Sequence, residues 1–244
     1  MRIAALSDIH GNLDALQAVL ADIARRGCDL VVNLGDLVSG PLRAAETAAL
    51  LMAHGFPTVR GNHERQLLET PPERMGTSDA LARAQLSEAQ LRWLGGLPPL
   101  LRIEDVLLCH GTPGDDTGYF LEHVDAGGLR AATPAEAAAR AGDSDARLLL
   151  CGHTHRPRAL RLDDGRLVVN PGSVGLPAYR ARRPVPHRIE TGTPHARYAL
   201  LQRRGHGWEA ELVAVDYDFR AMARLADDHG CGDWSMALRT GRVA

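Results

Sequence analysis

Short apolar runs alternate with amphipathic stretches along the first two thirds of the chain. Arg2 to Ser7 reads as a buried strand, and Leu13, Leu16, Val19, Leu20 and Ile23 then recur at helical spacing until Gly27 stops the helix. Leu30 to Leu34 predicts a second strand, Ala44 to His54 a helix, and Pro57 to Arg60 a short third strand. Such a strand–helix–strand–helix–strand order implies parallel pairing with right-handed crossovers. Helices are predicted from His63 to about Leu68 and from Ser78 to Leu94, the second containing a Ser87/Gln90 capping box. Leu100 to Cys109 reads as a strand pair turning at Glu104-Asp105. Thr133-Pro134 opens a helix whose Glu136 sits near the positive dipole end. Leu148 to Cys151 is the next strand.

Beyond His155 the texture becomes antiparallel. One hairpin runs from Arg158 to Asn170 around Asp163-Asp164-Gly165, and another from Arg197 to Val215 around Gly205-His206-Gly207. Phe219 to His229 is read as the closing helix. Pro177 to Pro194, with Arg180, Arg182, Arg183 and Arg188, is expected to be a long surface loop beside or away from the site. The pattern predicts an α/β fold of two stacked sheets with helices outside, in one domain spanning 1–244.

The apolar runs end alike. Asp8-Ile9-His10, Gly35-Asp36, His110-Gly111 and Gly152-His153-Thr154-His155 each follow one, and Gly61-Asn62-His63-Glu64 follows the short third strand. This layout presents Asp, Asn and His from the carboxyl ends of parallel strands, where open α/β sheets place their ligands. Oxygen and imidazole donors without thiolate suit one or two divalent transition ions. Asp8 and His10 can converge on one ion, and Asp36 can bridge two. Asn62 offers a neutral carbonyl oxygen, and His110, His153 and His155 add imidazoles. Two ions about 3.5–4 Å apart would hold a bridging hydroxide near neutral pH. Any single block reads as well as a surface, capping or turn arrangement; the ordered set does not.

Composition narrows the classes. A chain of 244 residues with net charge -2 can bury a full core and has no electrostatic signature for nucleic acid. All 28 basic residues are arginine, so neither a Schiff-base lysine nor a P-loop lysine is possible. The four cysteines, Cys28, Cys109, Cys151 and Cys231, form no CxxC pair. Together with the lack of a signal-peptide pattern or a membrane-length apolar run, this predicts a cytoplasmic protein with reduced thiols. Cys109 and Cys151 read as small buried residues. His54, His187, His195, His206 and His229 read as surface histidines, and Trp93, Trp208 and Trp234 are too dispersed for a base-stacking platform. Tyr119, Phe120 and His123 either wall the leaving group or simply pack.

The blocks DIH, GDLV, GNHE, CHG and GHTH resemble the signature of the calcineurin-like metallophosphoesterases, and Asn170-Pro171-Gly172-Ser173-Val174-Gly175 resembles a run of its small bacterial phosphodiesterase branch. The resemblance covers about two thirds of the chain. It implies a four-layer α/β/β/α sandwich. One ion would take Asp8, His10, Asp36 and His155, and the other Asp36, Asn62, His110 and His153. His63 would be the outer histidine that contacts phosphate and assists the leaving group. Asn12 would either cap the first helix or touch the substrate phosphate, and Arg60 would pair structurally with a carboxylate.

One departure stands out. Protein Ser/Thr phosphatases of that superfamily carry GDxVDRG, whereas this chain has Gly35-Asp36-Leu37-Val38-Ser39-Gly40. The aspartate that would orient His63 is Ser39, and the phosphate-binding arginine is Gly40. Dianionic monoesters gain most from a bidentate arginine, so its loss points to diesters. The expectation is a dinuclear phosphodiesterase acting on a small or nucleotide-like substrate, without membrane partners. Manganese is the first choice of metal, and iron, zinc, nickel or cobalt are also accommodated. The alternatives are a phosphomonoesterase or protein Ser/Thr phosphatase, and a non-catalytic scaffold on the same fold.

Overall fold

A computed structural model describes residues 1–244. Its elements run β1 (Arg2–Leu6), α1 (Leu13–Arg26), β2 (Leu30–Asn33), α2 (Ala44–His54), α3 (Asn62–Glu69), α4 (Thr77–Gln85), α5 (Glu88–Gly95), β3 (Leu101–Ile103) and β4 (Val106–Leu108). They continue with β5 (Glu122–Asp125), β6 (Gly128–Ala131), α6 (Pro134–Ala141), β7 (Leu148–Leu150), β8 (Arg158–Arg161) and β9 (Leu167–Asn170). The chain closes with β10 (Ala178–Ala181), β11 (His187–Glu190), β12 (Ala196–Arg204), β13 (Gly207–Val215), α7 (Arg220–Asp228) and α8 (Gly232–Thr240).

Period-two alternation decides the layering. Ile3 and Ala5 of β1 face one way, into a cluster shared with Val106, Leu108, Leu148 and Leu150 of a second sheet. Ala4 and Leu6 face the other way, onto Leu16, Val19 and Ile23 of α1. In β7, Leu148 and Leu150 join the inter-sheet cluster, while Leu149 turns outward to Ala137 and Ala141 of α6. The layers are therefore helix, sheet, sheet, helix, as the resemblance implied.

The first sheet has the order β13-β12-β1-β2, with β1 and β2 parallel and β12 antiparallel to β1. The second has the order β3-β4-β7-β9-β8, with β4, β7 and β9 parallel. The carboxyl ends of β1, β2, β4 and β7 thus reach one edge of the sandwich, immediately before Asp8, Asp36, His110 and His153. No helix is long and apolar enough to cross a membrane.

Four local readings are corrected. Pro57 to Arg60 is not a strand: only an isolated parallel bridge joins Asn33 and Thr58. The stretch Ser78 to Leu94 is two helices, because Ser87 adopts an extended backbone and starts α5 with a reciprocal capping box through Gln90. Part of the expected loop between Pro177 and Pro194 is the hairpin β10–β11. The hairpin β5–β6 and the helix α8 were not anticipated, since both are short and weakly patterned; α8 is held by packing on α7 and β10.

Candidate metal centre

Where the strands end, the backbone leaves its usual territory. Asp8, His10, Asp36, His153 and His155 have φ of 54, 52, 56, 65 and 55°. Left-handed backbone costs an L-residue roughly 1–2 kcal/mol, and Asp and His tolerate it better than most. The surroundings fix it. Asp8 N–H donates to the Gly35 carbonyl at 3.0 Å, His10 N–H to the Asp36 carbonyl at 3.0 Å, and Gly152 N–H to the His110 carbonyl at 2.7 Å. Each loop is thereby bonded to its neighbour.

Three further groups brace these loops. Buried Glu64 accepts from the N–H groups of Asp36 and Gly61, both at 2.9 Å, and of Leu37 at 2.7 Å. Ser173 Oγ donates to the Asp8 carbonyl at 2.7 Å, and Asn170 Nδ2 donates to the Gly152 carbonyl at 2.6 Å. Gly175 passes so close that a Cβ there would run into the Ile9 carbonyl. The run from Asn170 to Gly175 is thus the buttress under the Asp8 and His153 loops.

The side chains form two groups, Asp8, His10 and His155 in one and Asp36, His110 and His153 in the other, each with its donor atoms within 4.8 Å of one another. Asp36 joins them. Its Oδ1 accepts from His63 N–H at 2.9 Å, while Oδ2 lies 3.1 Å from His110 Nε2 and 4.0 Å from His10 Nε2. Asn62 Oδ1 is 3.1 Å from His110 Nε2.

Proton bookkeeping shows what this cluster lacks. His10, His110 and His155 point Nδ1 at the carbonyls of Ser39, Leu34 and Leu176, at 2.7, 2.7 and 2.6 Å. A carbonyl only accepts, so each Nδ1 carries hydrogen and each neutral ring turns an Nε2 lone pair inward. His10 Nε2 then faces His155 Nε2 at 3.2 Å, acceptor against acceptor. His110 Nε2 likewise faces the oxygens of Asn62 and Asp36. Such an arrangement calls for protons or cations. Burial, with His155 beside it, pushes His10 down to about 4. Burial, with His110 beside it, pushes His153 down to about 4. Burial also opposes charge on His110, but Asp36 outweighs it and raises that ring to about 10. Two rings that resist protonation, carboxylates held ionised and inward lone pairs fit divalent cations.

His63 stands at the rim. Its Nδ1 meets Asp79 Oδ1 at 2.9 Å, and Ser39 Oγ donates to that same carboxylate oxygen. The missing aspartate at position 39 is therefore supplied from α4, with Ser39 holding it. Burial disfavours charge on His63, yet Asp36 and Asp79 prevail and raise it to about 9. Gly40 is filled from elsewhere too: a Cβ there would lie 2.8 Å from Trp234 Cη2 and 2.7 Å from the His10 carbonyl. The indole of α8 also lies edge-on to His10, with ring centroids 5.8 Å apart.

Asn12 has no atom free for substrate. It is buried, its Oδ1 accepts from Ala15 N–H at 3.1 Å, and its Nδ2 donates to the Gly175 carbonyl and Tyr217 Oη at 2.9 and 3.0 Å. The capping alternative describes it, and substrate contact does not. Arg60 lies 4.0 Å from Glu69, as a structural pair. Cys109 and Cys151 are buried as expected, but His187 is not at the surface: it is 9% exposed and accepts from Tyr119 Oη at 2.9 Å. Sequence reasoning missed Glu64, Asp79, Ser173, Tyr179 and Trp234. Glu64 carried a local signal, as the third residue of an N-terminal capping arrangement, and Ser173 lay in the recognised run 170–175 without a role assigned to it.

Two clefts open onto the centre. One, of about 440 Å³, is lined by His10, Asp36, His63 and His155 with Tyr179 and Trp234. The other, of about 860 Å³, is lined by Asn62, Tyr119, His123 and Arg140 with Arg182 and Arg183.

Residues 1–190 match the sequence profile of the calcineurin-like phosphoesterase superfamily domain. An uncharacterized protein of Methanocaldococcus jannaschii is 27% identical over 244 residues, covering 89% of this chain and 88% of its own. A metallophosphoesterase from Sphaerobacter thermophilus superposes with a TM-score of 0.76 at 25% identity, covering 99% of each chain. A hypothetical protein from Pyrococcus horikoshii shares the fold, with a TM-score of 0.75 at 18% identity over 100% of this chain and 99% of that one.

Proposed function

The chain belongs to the calcineurin-like phosphoesterase superfamily and is a phosphoester hydrolase; from that premise we propose that it is a dinuclear phosphodiesterase acting on a small or nucleotide-like ester. The observation carrying this reading is the set of three imidazoles whose Nδ1 protons are committed to carbonyls while their Nε2 atoms converge on Asp8 and Asp36. Asp8, His10 and His155 would hold one ion and Asn62, His110 and His153 the other, with Asp36 shared by both. Bound divalent ions would supply Lewis acidity and lower the pKa of a coordinated water from about 15.7 towards about 7. Manganese is the first candidate, with iron, zinc, nickel and cobalt compatible with the same donors.

The chain's own groups divide the remaining work. Asp79 accepts the Nδ1 proton of His63 and keeps the ring charged. His63 lines the 440 Å³ cleft beside Asp36 and would donate its Nε2 proton to the departing alkoxide. Trp234 occupies the space beside Gly40 and leaves no room for an arginine there. The absence of that clamp supports a monoanionic diester over a dianionic monoester. One observation favours the monoester alternative: Arg180 lines the same cleft and has no ion-pair partner.

Turnover of bis(p-nitrophenyl) phosphate against p-nitrophenyl phosphate, after chelation and return of manganese, tests the reading. The expected result is metal-dependent hydrolysis with the diester preferred. A strong monoester preference would overturn the diester assignment, and loss of all metal-dependent activity would overturn catalysis.

A further inference from the structure

We propose that the β10–β11 hairpin is the arm that reads the substrate, and that the substrate is an ester with a planar ring on one side of the scissile phosphate and a second anionic group on the other. This rests on the phosphodiesterase reading above and adds the shape and charge of what is hydrolysed. His153 and Tyr179 line both clefts, so the metal centre lies at their junction and the hairpin forms the divide. The arm is tied down at both strands. Tyr179 Oη in β10 donates to the His153 carbonyl at 3.1 Å, and His187 in β11 accepts from Tyr119 Oη, whose ring lies edge-on to His153 with centroids 5.3 Å apart.

The two clefts differ in chemistry. In the first, Trp234, Tyr179, Leu176 and Ala178 form an aromatic and apolar wall, and the charged lining is one base near its mouth, Arg180, and two acids, Asp36 and Asp233. In the second, Arg140, Arg182 and Arg183 face a single acid, Glu122. Arg140 is committed to the carbonyls of Phe120 and Glu122 at 2.9 and 2.8 Å. Burial raises the pKa of the Glu122 carboxyl. Arg182 and Arg183 are exposed, and neither guanidinium has an ion-pair or hydrogen-bond partner. Several arginines elsewhere are paired, Arg65 with Asp116 at 2.7 Å, Arg130 with Glu136 at 2.7 Å and Arg239 with Asp227 at 3.1 Å, while exposed Arg74 and Arg224 are unpaired as well but line neither cleft. Two uncommitted guanidinium groups above Asn62 suit a phosphate, which they can grip bidentately. The indole edge beside His10 suits a flat ring. The class that carries both is a nucleotide with a phosphate beyond the one being cleaved.

The test compares adenosine 5′-diphosphate, with its ring on one side of the α-phosphate and its β-phosphate on the other, with adenosine 5′-monophosphate on the manganese-loaded protein. Both serve as inhibitors of bis(p-nitrophenyl) phosphate hydrolysis and as ligands in calorimetry. The diphosphate should bind at least about tenfold more tightly, the scale of one added charge-assisted phosphate contact. In the Arg182→Ala/Arg183→Ala variant that ratio should fall to near unity, with an unchanged thermal midpoint because both residues are exposed. Equal binding of the two nucleotides to the native protein overturns the proposal, as does a preference that survives loss of both arginines. Failure to hydrolyse bis(p-nitrophenyl) phosphate strikes the diester reading instead, and the calorimetric ratio still decides the arm.

Discussion

Asp8, His10 and Asp36 are 0, 2 and 1% exposed, sit on left-handed backbone and are bonded loop to loop, whereas Arg180, Arg182 and Arg183 stand exposed on a hairpin with no partner. These are the floor and the wall of one site. The floor is over-determined: Asp8 is held by the Gly35 carbonyl and Ser173, Asp36 by Glu64, and His10 by the Asp36 carbonyl. The wall is held at a few points, chiefly by Tyr179 and His187. A floor of this kind keeps metal donors at fixed distances, and strain stored there persists because the surroundings leave no alternative. A wall of this kind can change its residues without disturbing the floor. On the function proposed above, chemistry and specificity are thereby separated.

That comparison breaks first at Asp36. Asp36→Ala should abolish hydrolysis by at least about 10³-fold, since it removes the shared oxygen and exceeds the loss of one oxyanion-type donor; steady-state rates check it. Next is the buttress. Gly175→Ala forces a Cβ into the Ile9 carbonyl and should lower stability by about 1–3 kcal/mol, with weaker metal retention. Chemical denaturation and metal analysis of the dialysed protein measure both effects, whereas the same change at exposed Gly114, where a Cβ meets nothing within 4 Å, should alter neither.

The rim lies between floor and wall. Asp79→Asn should reduce kcat roughly 10–100-fold, the usual cost of losing a partner one shell out. Asp79 favours the protonated ring of His63, so without it the His63 pKa falls and the alkaline limb of the kcat profile moves to lower pH. Unchanged metal content would separate positioning from loss of the centre. Smallest is the wall itself: Trp234→Leu should raise KM for aryl diesters several-fold with little change in kcat, on the scale of about 1 kcal/mol for one aromatic contact.

The same division explains what was legible in the chain. Asp8, His10, Asp36, His110, His153 and His155 were legible as candidates because each lies within a few residues of a strand end, and a parallel sheet aligns its strand ends; Asn62 follows only the isolated bridge at Thr58 and opens α3. The layers followed from the alternation of Ile3 with Ala4 and of Leu148 with Leu149. Asp79 escaped because its partner His63 lies sixteen residues away on another helix, and nothing local in Thr77 to Gln85 marks it. Trp234 escaped for a stronger reason: it reaches Gly40 only through the packing of α8, a helix that the pattern did not reveal. Asn12 was half legible. Its capping role is local, and only the bonds to Gly175 and Tyr217 remove it from the substrate's reach.

The central claim is that the convergent lone pairs of His10, His110 and His155 exist to hold two cations. Elemental analysis of the purified protein after manganese loading and dialysis measures this most directly, read alongside Asp36→Ala. The account predicts two retained ions per chain in the native protein and a clear loss of retained metal in the variant. One ion or none in the native protein, or a full complement without Asp36, would contradict it.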